Sequence, residues 1–531
     1  MTITAGNPQT IAATLESTDP LTQVVTPITP ITGAGPDYTS TMPAQVAVTT
    51  AGVVSSTLPG TATITGICQP GAATSTTTSS ASSASTATGL SCNPTPLNKL
   101  GTFGTGLPVT ANPIVVNSPG VDNTIIYAAS PASQLFTVFD LSLGTSGTPT
   151  LLPYQPNSMI LDPTGSSLYF GSYRELMIYT ASNNALTTAD TTVPGVVLAV
   201  SPSNNQVVIA DQQRSVIYLY TPASTSTGST ASTTASSVIS TGGLATHAVY
   251  SRDGKNVYIT GPTALYVHNI VTGWSQYPLT SANATTSCEL DNTGASPFCS
   301  PDVTLTVPNV AVFVSGSPVV ARSFCPDTTT SPVTYNPLAA TVTGDTADHL
   351  GSTPDGNHVL GANTTSIFDI EHSPTSDTSQ LVAPIGPCPG VNPANAGPLT
   401  IATTLRQLAL TGITPTQIDQ VLTSPDSSRA FITYMGATAT GLLPMYTPST
   451  TAGGTGTLQN LQLSTGALAP IAGVFSPDAA SFYASTTGDN LIHILSTTSN
   501  KDTQTLDPQL TDPNRNIVPA QFLATKPKAT T

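Results

Sequence analysis

The chain has 531 residues, room for two or more domains, yet only 7% are charged, against about a quarter in ordinary soluble domains. The 12 Lys+Arg against 27 Asp+Glu leave a net charge of −15 with no basic stripe, which argues against a nucleic-acid partner. No apolar run reaches the roughly 18 residues of a membrane-spanning helix, and the nearest, Asn309–Ala321, is interrupted by Ser315-Gly316-Ser317-Pro318.

Apolar residues make up 38% and mean hydropathy is +0.11, so core material is ample. Ser, Thr, Gly, Pro and Asn stand where charges usually do. A surface hydrated by hydroxyls and amides suits close packing, carbohydrate contact or glycosylation. The opening residues MTITAGNPQT lack a basic region and an apolar core of signal-peptide type, while the composition is that of a secreted chain. Together these features give the expectation of an N-terminally trimmed chain or an unusual start, in an extracellular or cell-surface location. The six cysteines, Cys68, Cys92, Cys288, Cys299, Cys325 and Cys388, form no C-x-x-C pair, so zinc is a poor account of them. Their even number in a hydroxyl-rich acidic chain points to disulfides. Proximity favours Cys68–Cys92 and Cys288–Cys299, leaving Cys325–Cys388, among about 15 connectivities.

In chain order, residues 1–70 hold short strand-like runs: Thr2–Gly6, Thr10–Leu15, Tyr38–Pro43, Gln45–Val54 and Pro59–Gly66. Val48–Val54 reads Val-Thr-Thr-Ala-Gly-Val-Val, close to a val-x-x-x-x-gly-val-val hairpin, and Pro59–Thr65 reads Pro-Gly-Thr-Ala-Thr-Ile-Thr. On these motifs the segment resembles the bacterial immunoglobulin-like domain, group 2, with Tyr38 at the aromatic position that opens the middle strand. The Pro- and Thr-rich stretch Leu21–Gly35 departs from that pattern. The resemblance implies a β-sandwich acting as spacer or adhesive module, with no catalytic residues. Residues 71–106 follow as a Ser/Thr-rich linker, whose Gly71–Ala87 has no periodicity and nothing to bury.

From residue 107 to 510 one unit recurs: a turn, a strand, a short turn, a second strand. Ser251–Gly273 is its clearest copy. Asp162-Pro163-Thr164-Gly165, Ser201-Pro202-Ser203, Arg252-Asp253-Gly254, Thr353-Pro354-Asp355-Gly356, Ser424-Pro425-Asp426 and Ser476-Pro477-Asp478 supply the turns. Pro fixes φ, Asp or Asn caps through its side chain, and Gly or a small residue leaves the turn. One such unit cannot bury both faces, so neighbours at a period of roughly 40–50 residues must stack, the signature of a β-propeller. The fold class expected is all-β: an immunoglobulin-like sandwich, then a propeller of roughly seven blades. The turns, with Asp140 and Asp369 ending strands, resemble YVTN-type propellers, a resemblance specific for fold and weak for function.

The rhythm breaks near residues 281–346, which could be an eighth blade, an outer strand or a loop, and near 384–420. In the second, Ala402–Leu410 and Pro415–Val421 are expected to hold a short helix, because Thr414-Pro415-Thr416-Gln417-Ile418-Asp419 resembles a helix start. Pro222–Ser237 reads as an exposed loop, and residues 511–531 as a C-terminal tail.

The chain holds no acceptable nucleophile elbow, phosphate loop, paired zinc histidines or calcium loop, and Gly101–Gly106 lacks the strand-to-helix context. No catalytic, cofactor-binding or metal-ligating residue is assigned, and no cofactor is expected. The histidines are His247, His268, His349, His358, His372 and His493. His268 and His493 are expected to pack beside neighbouring blades, and His349 with Asp345 and Asp348 to form a polar loop. Asp162, Asp253, Asp355, Asp426 and Asp478 read as turn caps rather than a binding ring. Arg174, Arg214, Arg252, Arg322, Arg406 and Arg429 cannot be placed at one channel mouth, and Trp274 reads as a packing residue. Asn283 and Asn363 occupy N-glycosylation sequons.

The function expected is a secreted or surface-displayed, non-enzymatic scaffold that associates with itself, another surface protein or a glycan. Its N-terminal β segment would pair with an edge on the next subunit to build a filament or layer. The alternatives are a lactonase-like propeller enzyme, as some propellers of this resemblance hydrolyse sugar lactones, and a glycan- or ligand-binding module.

Overall fold

A computed structural model describes the chain from residue 1 to 528. The intervals 19–24, 28–34, 73–89, 93–108, 222–234, 280–287, 291–296, 306–311, 328–333 and 372–405, with shorter gaps of one to four residues, lie outside the description. Every regular element among the described residues is a β-strand, and no described helix is long and apolar enough to cross a membrane.

The recurring turns organise eight four-stranded antiparallel sheets among the described residues. Blade 1 combines Asn123–Ala129, Leu135–Asp140 and Thr148–Leu151 with Phe522–Lys528. Blades 2 to 8 follow in order over residues 158–190, 196–240, 247–278, 303–341, 349–409, 417–462 and 470–506. The first strand of each of these blades packs beside the first strand of the next, and Phe522–Lys528 fills the same place in blade 1, between blades 8 and 2. The ring is therefore a closed β-propeller.

The count is eight where the turns suggest about seven. The additional blade comes from the interval 281–346: Val303–Leu305, Val312–Val314, Val320–Asp327 and Thr334–Thr341. The short hairpin Cys288–Leu290 with Pro297–Cys299 stands outside the blades.

Three boundaries differ from the sequence expectation. The tail is not a tail: Phe522–Lys528 pairs along the whole of Asn123–Ala129 and closes the ring. Two lysines and a proline in seven residues hide that strand. Val109–Thr110 and Ile114–Ser118 pair with Gly60–Cys68, so they belong to the N-terminal unit and the propeller begins at Asn123. The expected helix at Pro415–Val421 is the inner strand of blade 7, Gln417–Thr423, with a bulge between Ile418 and Gln420. The extra residue of a bulge puts Ile418 and Val421, both buried, three residues apart on one face, which imitates helical spacing.

The N-terminal unit has two larger sheets, beside the two-stranded pairs Glu16–Thr18 with Val25–Pro27 and Pro70–Ala72 with Leu90–Cys92. Val53–Ser56 lies between Gln9–Thr10 and Val46–Val48, while Gly60–Cys68 is flanked by Ile114–Ser118, Val109–Thr110 and Asp37–Ser40. Ile3, Val46, Val54, Ala62, Ile64 and Val116 form its core. Tyr38 needs the two glycines of the motif. A Cβ at Gly66 would stand 3.0 Å from its ring, and Gly52 takes φ +76° beside it. Cys68 and Cys92 are disulfide-bonded, with Cα atoms 4.7 Å apart.

Blade faces are stacked by large apolar side chains. Phe136 of blade 1 meets Phe170 and Tyr179 of blade 2 at centroid distances of 5.1 and 4.9 Å, and Phe431 of blade 7 stacks on Phe482 of blade 8 at 4.3 Å. Such aromatic pairs contribute roughly 0.5–1.5 kcal/mol beyond their buried area.

Candidate functional site

In blades 2 to 8 the innermost strand starts at one rim of the ring and ends at the other, where, in blades 2 to 4 and 6 to 8, the recurring turn sends the chain back. The two rims use their polar residues differently. At the turn rim, Ser or Thr donates its hydroxyl to the Asp two residues on. Thr353–Asp355, Ser424–Asp426 and Ser476–Asp478 are all 2.5 Å. The same Asp then accepts the N–H of Asn357, Ser428 or Ala480. These aspartates are turn caps, as the motif predicts. Asp162 is a cap of another kind. It occupies the Ser/Thr slot, and its carboxylate accepts the N–H groups of Ser166 and Ser167 at 2.8 and 3.1 Å. Asp253 lies outside the described residues.

The starting rim carries a convergence that the sequence reading did not assemble. His247 opens the inner strand of blade 4, Asp302 precedes that of blade 5, and His349 opens that of blade 6. One potential ligand atom from each lies within 4.8 Å of the other two. The imidazole centroids are 5.7 Å apart, and His349 Nδ1 is 3.5 Å from Asp302 Oδ2.

Each member is held. Asp302 Oδ2 accepts the Leu350 N–H at 2.8 Å and Oδ1 accepts the Val303 N–H at 2.7 Å, while Ser315 Oγ accepts the Asp302 N–H at 2.7 Å. Reciprocal backbone bonds of 3.1 Å between Gly316 and Ala347 tie blade 5 to the entry of blade 6. Thr246 Oγ1 lies 2.7 Å from His247 Nδ1. Burial works to raise the Asp302 pKa. The facing His247, His349 and the Leu350 N–H outweigh it, and the carboxyl is held below its ordinary value. Neighbouring Asp348 goes the other way, raised by burial with only partial relief from His349. Asp345 is outside the described residues.

The free edge of an inner strand explains part of this. Its outward N–H groups have no ladder partner, and a side chain of the adjacent blade supplies one. Ser158 Oγ accepts the Val197 N–H between blades 2 and 3, and Gln420 Oε1 accepts the Gly473 N–H between blades 7 and 8. Asp302 does this for Leu350, but with a charge and two imidazoles beside it. A signal for the pair was present in the sequence: His247 and His349 each stand four residues before the turn residue, Ser251 and Thr353. Asp302 had no such signal, because the sequence four residues on, Thr306-Val307-Pro308-Asn309, does not match the recurring turn motif.

The other described histidines make contacts within their own blades. His268 sits edge-on to Trp274 of its own blade at 4.8 Å, and burial lowers its pKa. His493 is held between Asp502 and Asp489 of blade 8 at 2.7 and 3.0 Å. Nδ1 of His493 also lies 3.2 Å from Ser464 Oγ, in the connection that arrives from blade 7. His358 meets both oxygens of Asp369 at 2.9 and 3.0 Å within blade 6. His372 lies outside the described residues. Among the arginines, Arg214 pairs with Asp211 at 2.8 Å, and Arg429 ties blade 7 to Thr497 O and Asn500 of blade 8. Arg406 is buried beside Asp369. Asn363 donates its amide to Thr346 O at 2.6 Å and caps Thr365 and Ser366, so its sequon nitrogen has a structural bond; Asn283 lies outside the described residues. Cys288 and Cys299 are opposite partners in their hairpin register.

No protein-family profile matches the chain, and no curated protein matches it in sequence. Solved structures resemble it at low identity. The β-propeller domain of Cps50 (Swd1) from Myceliophteria thermophila is 12% identical, covering 64% of this chain and 95% of that one, with a TM-score of 0.39. Sqt1 from Chaetomium thermophilum is 13% identical over 71% and 92%, TM-score 0.47. A putative 6-phosphogluconolactonase from Bacteroides uniformis is 10% identical over 77% and 100%, TM-score 0.41. These similarities concern the fold alone.

Proposed function

We propose that the protein is an extracellular or cell-surface scaffold in which a rigid propeller presents binding rims and an immunoglobulin-like N-terminal unit links one subunit to the next. The observation that carries this reading is the edge of the N-terminal unit. Ile114–Ser118 pairs on one side with Gly60–Cys68, and on the other, among the described residues, it is met by residues 1–3 through a parallel bridge between Thr2 and Asn117. Ile3 N–H donates to Asn117 O at 3.0 Å and Asn117 N–H to Met1 O at 2.8 Å. Met1, Ile114 and Val115 are exposed on this edge. A short segment held on a sheet edge by a few backbone bonds can be exchanged between copies at little cost, because the same bonds form within or between subunits. The recurrent aspartates and most described histidines are committed to turns and blade interiors, which supports a scaffold over an enzyme.

Static light scattering with negative-stain microscopy tests this on the full chain and on a chain lacking residues 1–8. Oligomers or filaments for the first and monomers for the second are expected. A strictly monomeric full chain at high concentration contradicts the assembly, and surface labelling of producing cells tests the location.

One observation favours the enzymatic alternative, the carboxylate and two imidazoles gathered at a channel rim. A sugar-lactone hydrolysis assay with wild type and H349Q separates it from the scaffold reading.

A further inference from the structure

We propose that the rim where blades 4, 5 and 6 meet is a divalent transition-metal site, with Zn²⁺ as its first candidate, built from His247, Asp302 and His349. This site is independent of how the protein assembles.

The donors come from three successive blades at matching positions, so no single loop conformation creates the cluster. The donor set is two imidazoles and one carboxylate, which suits zinc and its neighbours and is poor for Ca²⁺ or Mg²⁺, which prefer all-oxygen shells. The potential ligand atoms already lie within 4.8 Å of one another. A cation bound to all three at ordinary zinc distances of about 2.0–2.2 Å requires them to close to less than about 4.4 Å, a small movement of side chains at a strand end. The surroundings have the form of an outer shell. Thr246 contacts the Nδ1 of His247, and two backbone N–H groups and the Ser315 hydroxyl fix Asp302 and its backbone. Such outer contacts orient ligating imidazoles and carboxylates.

Three protein ligands leave a fourth position for water or an oxygen donor of a partner. The bound ion would also act as a cross-link between blades 4, 5 and 6. Thr61 N–H of the N-terminal unit reaches Pro477 O on the turn rim at 3.2 Å, at the opposite end of the ring from the site. Metal binding and N-terminal assembly should therefore be separable.

Titration of chelator-stripped full-length protein with ZnCl₂ by calorimetry, alongside Co²⁺ absorption spectra, tests the proposal. One equivalent per chain is expected, with visible Co²⁺ bands of low-symmetry coordination and a melting temperature raised by Zn²⁺. H247Q, H349Q and D302N should each weaken binding more than about tenfold, beyond the lower bound for losing an outer-shell contact, and abolish the Co²⁺ bands. H268Q should bind as wild type does. Should H349Q fail to fold, H247Q at the partly exposed member carries the test. No stoichiometric Zn²⁺ binding by wild type, or undiminished binding by folded H247Q, overturns the assignment, as does an equal loss in H268Q.

Discussion

Tyr446 of blade 7 donates its hydroxyl to the Asp369 carboxylate of blade 6 at 2.6 Å, and the same carboxylate is held by His358. All three side chains are buried, so this is a polar weld between the faces of blades 6 and 7. Burial first, and the charge of Asp369 next, push the Tyr446 phenol well above its ordinary range, which keeps it a donor at any physiological pH. The substitution Y446F removes one charge-assisted bond and leaves Asp369 with His358. A loss of about 1.5–3 kcal/mol in urea unfolding is expected. D369A strands both Tyr446 and His358 and should cost more than Y446F.

His493 gives the protein a pH-dependent element. Burial lowers its pKa, but Asp502 and Asp489 on its two ring nitrogens outweigh that, so the folded value lies above the ordinary 6.5. With a raised folded pKa, the stabilisation is fully present below the unfolded value and is lost as pH rises through the folded one. Burial likewise raises Asp502, but its bonds to His493 and Ser464 prevail and hold it below its ordinary value. That contribution is present above the unfolded carboxyl pKa and is lost as pH falls through the depressed folded one. Denaturation midpoints should therefore decline from neutral toward alkaline pH, and H493Q should flatten that decline.

Two turn residues carry backbone strain. The fourth turn position has φ of 67° at Gly165, 67° at Gly254 and 74° at Gly356, while blades 7 and 8 place Ser427 and Ala479 there at 62° each. A Cβ in that region costs about 1–2 kcal/mol, partly offset by the unfolded-state entropy of glycine. A479G should therefore stabilise the protein by roughly 0.5–1 kcal/mol in thermal or urea unfolding. S427G should gain less, because Ser427 Oγ accepts the Asp355 N–H of blade 6 at 2.9 Å.

Ring closure depends on the last strand. Removing residues 522–531 exposes the whole edge of Asn123–Ala129 and deletes the Thr525 hydroxyl bond to Phe475 O and the Lys526 ammonium bond to Gly165 O. The truncated chain should lose cooperative unfolding by circular dichroism and aggregate through the open edge. A shortened chain that melts like the full one contradicts this closure.

Peptide mapping without reduction tests the cysteines. Linked Cys68–Cys92 peptides are expected from the bonded pair, and linked Cys288–Cys299 peptides from the register of their hairpin. A Cys325–Cys388 peptide would complete the set proposed from proximity.

The repeating turns made the propeller legible because Pro, Asp and Gly each impose a local backbone requirement that survives in any context. The assignment of Asp355, Asp426 and Asp478 as caps follows from the same chemistry. What escaped the sequence were features set by distant partners. Phe522–Lys528 is a strand because Asn123–Ala129 offers it an edge, and the bulge at Ile418 gave a strand the periodicity of a helix. His247 and His349 are 102 positions apart, and only the closing of the ring brings Asp302 between them.

The central claim, a scaffold that links subunits through its N-terminal edge, is tested most directly by placing cysteines at Thr2 and Asn117, which face each other across the bridge. Oxidation of the concentrated T2C/N117C protein, followed by denaturing electrophoresis without reductant, should give a ladder of covalent multimers. A product that stays a single cross-linked monomer at every concentration would show that the segment pairs only with its own chain and would contradict the account.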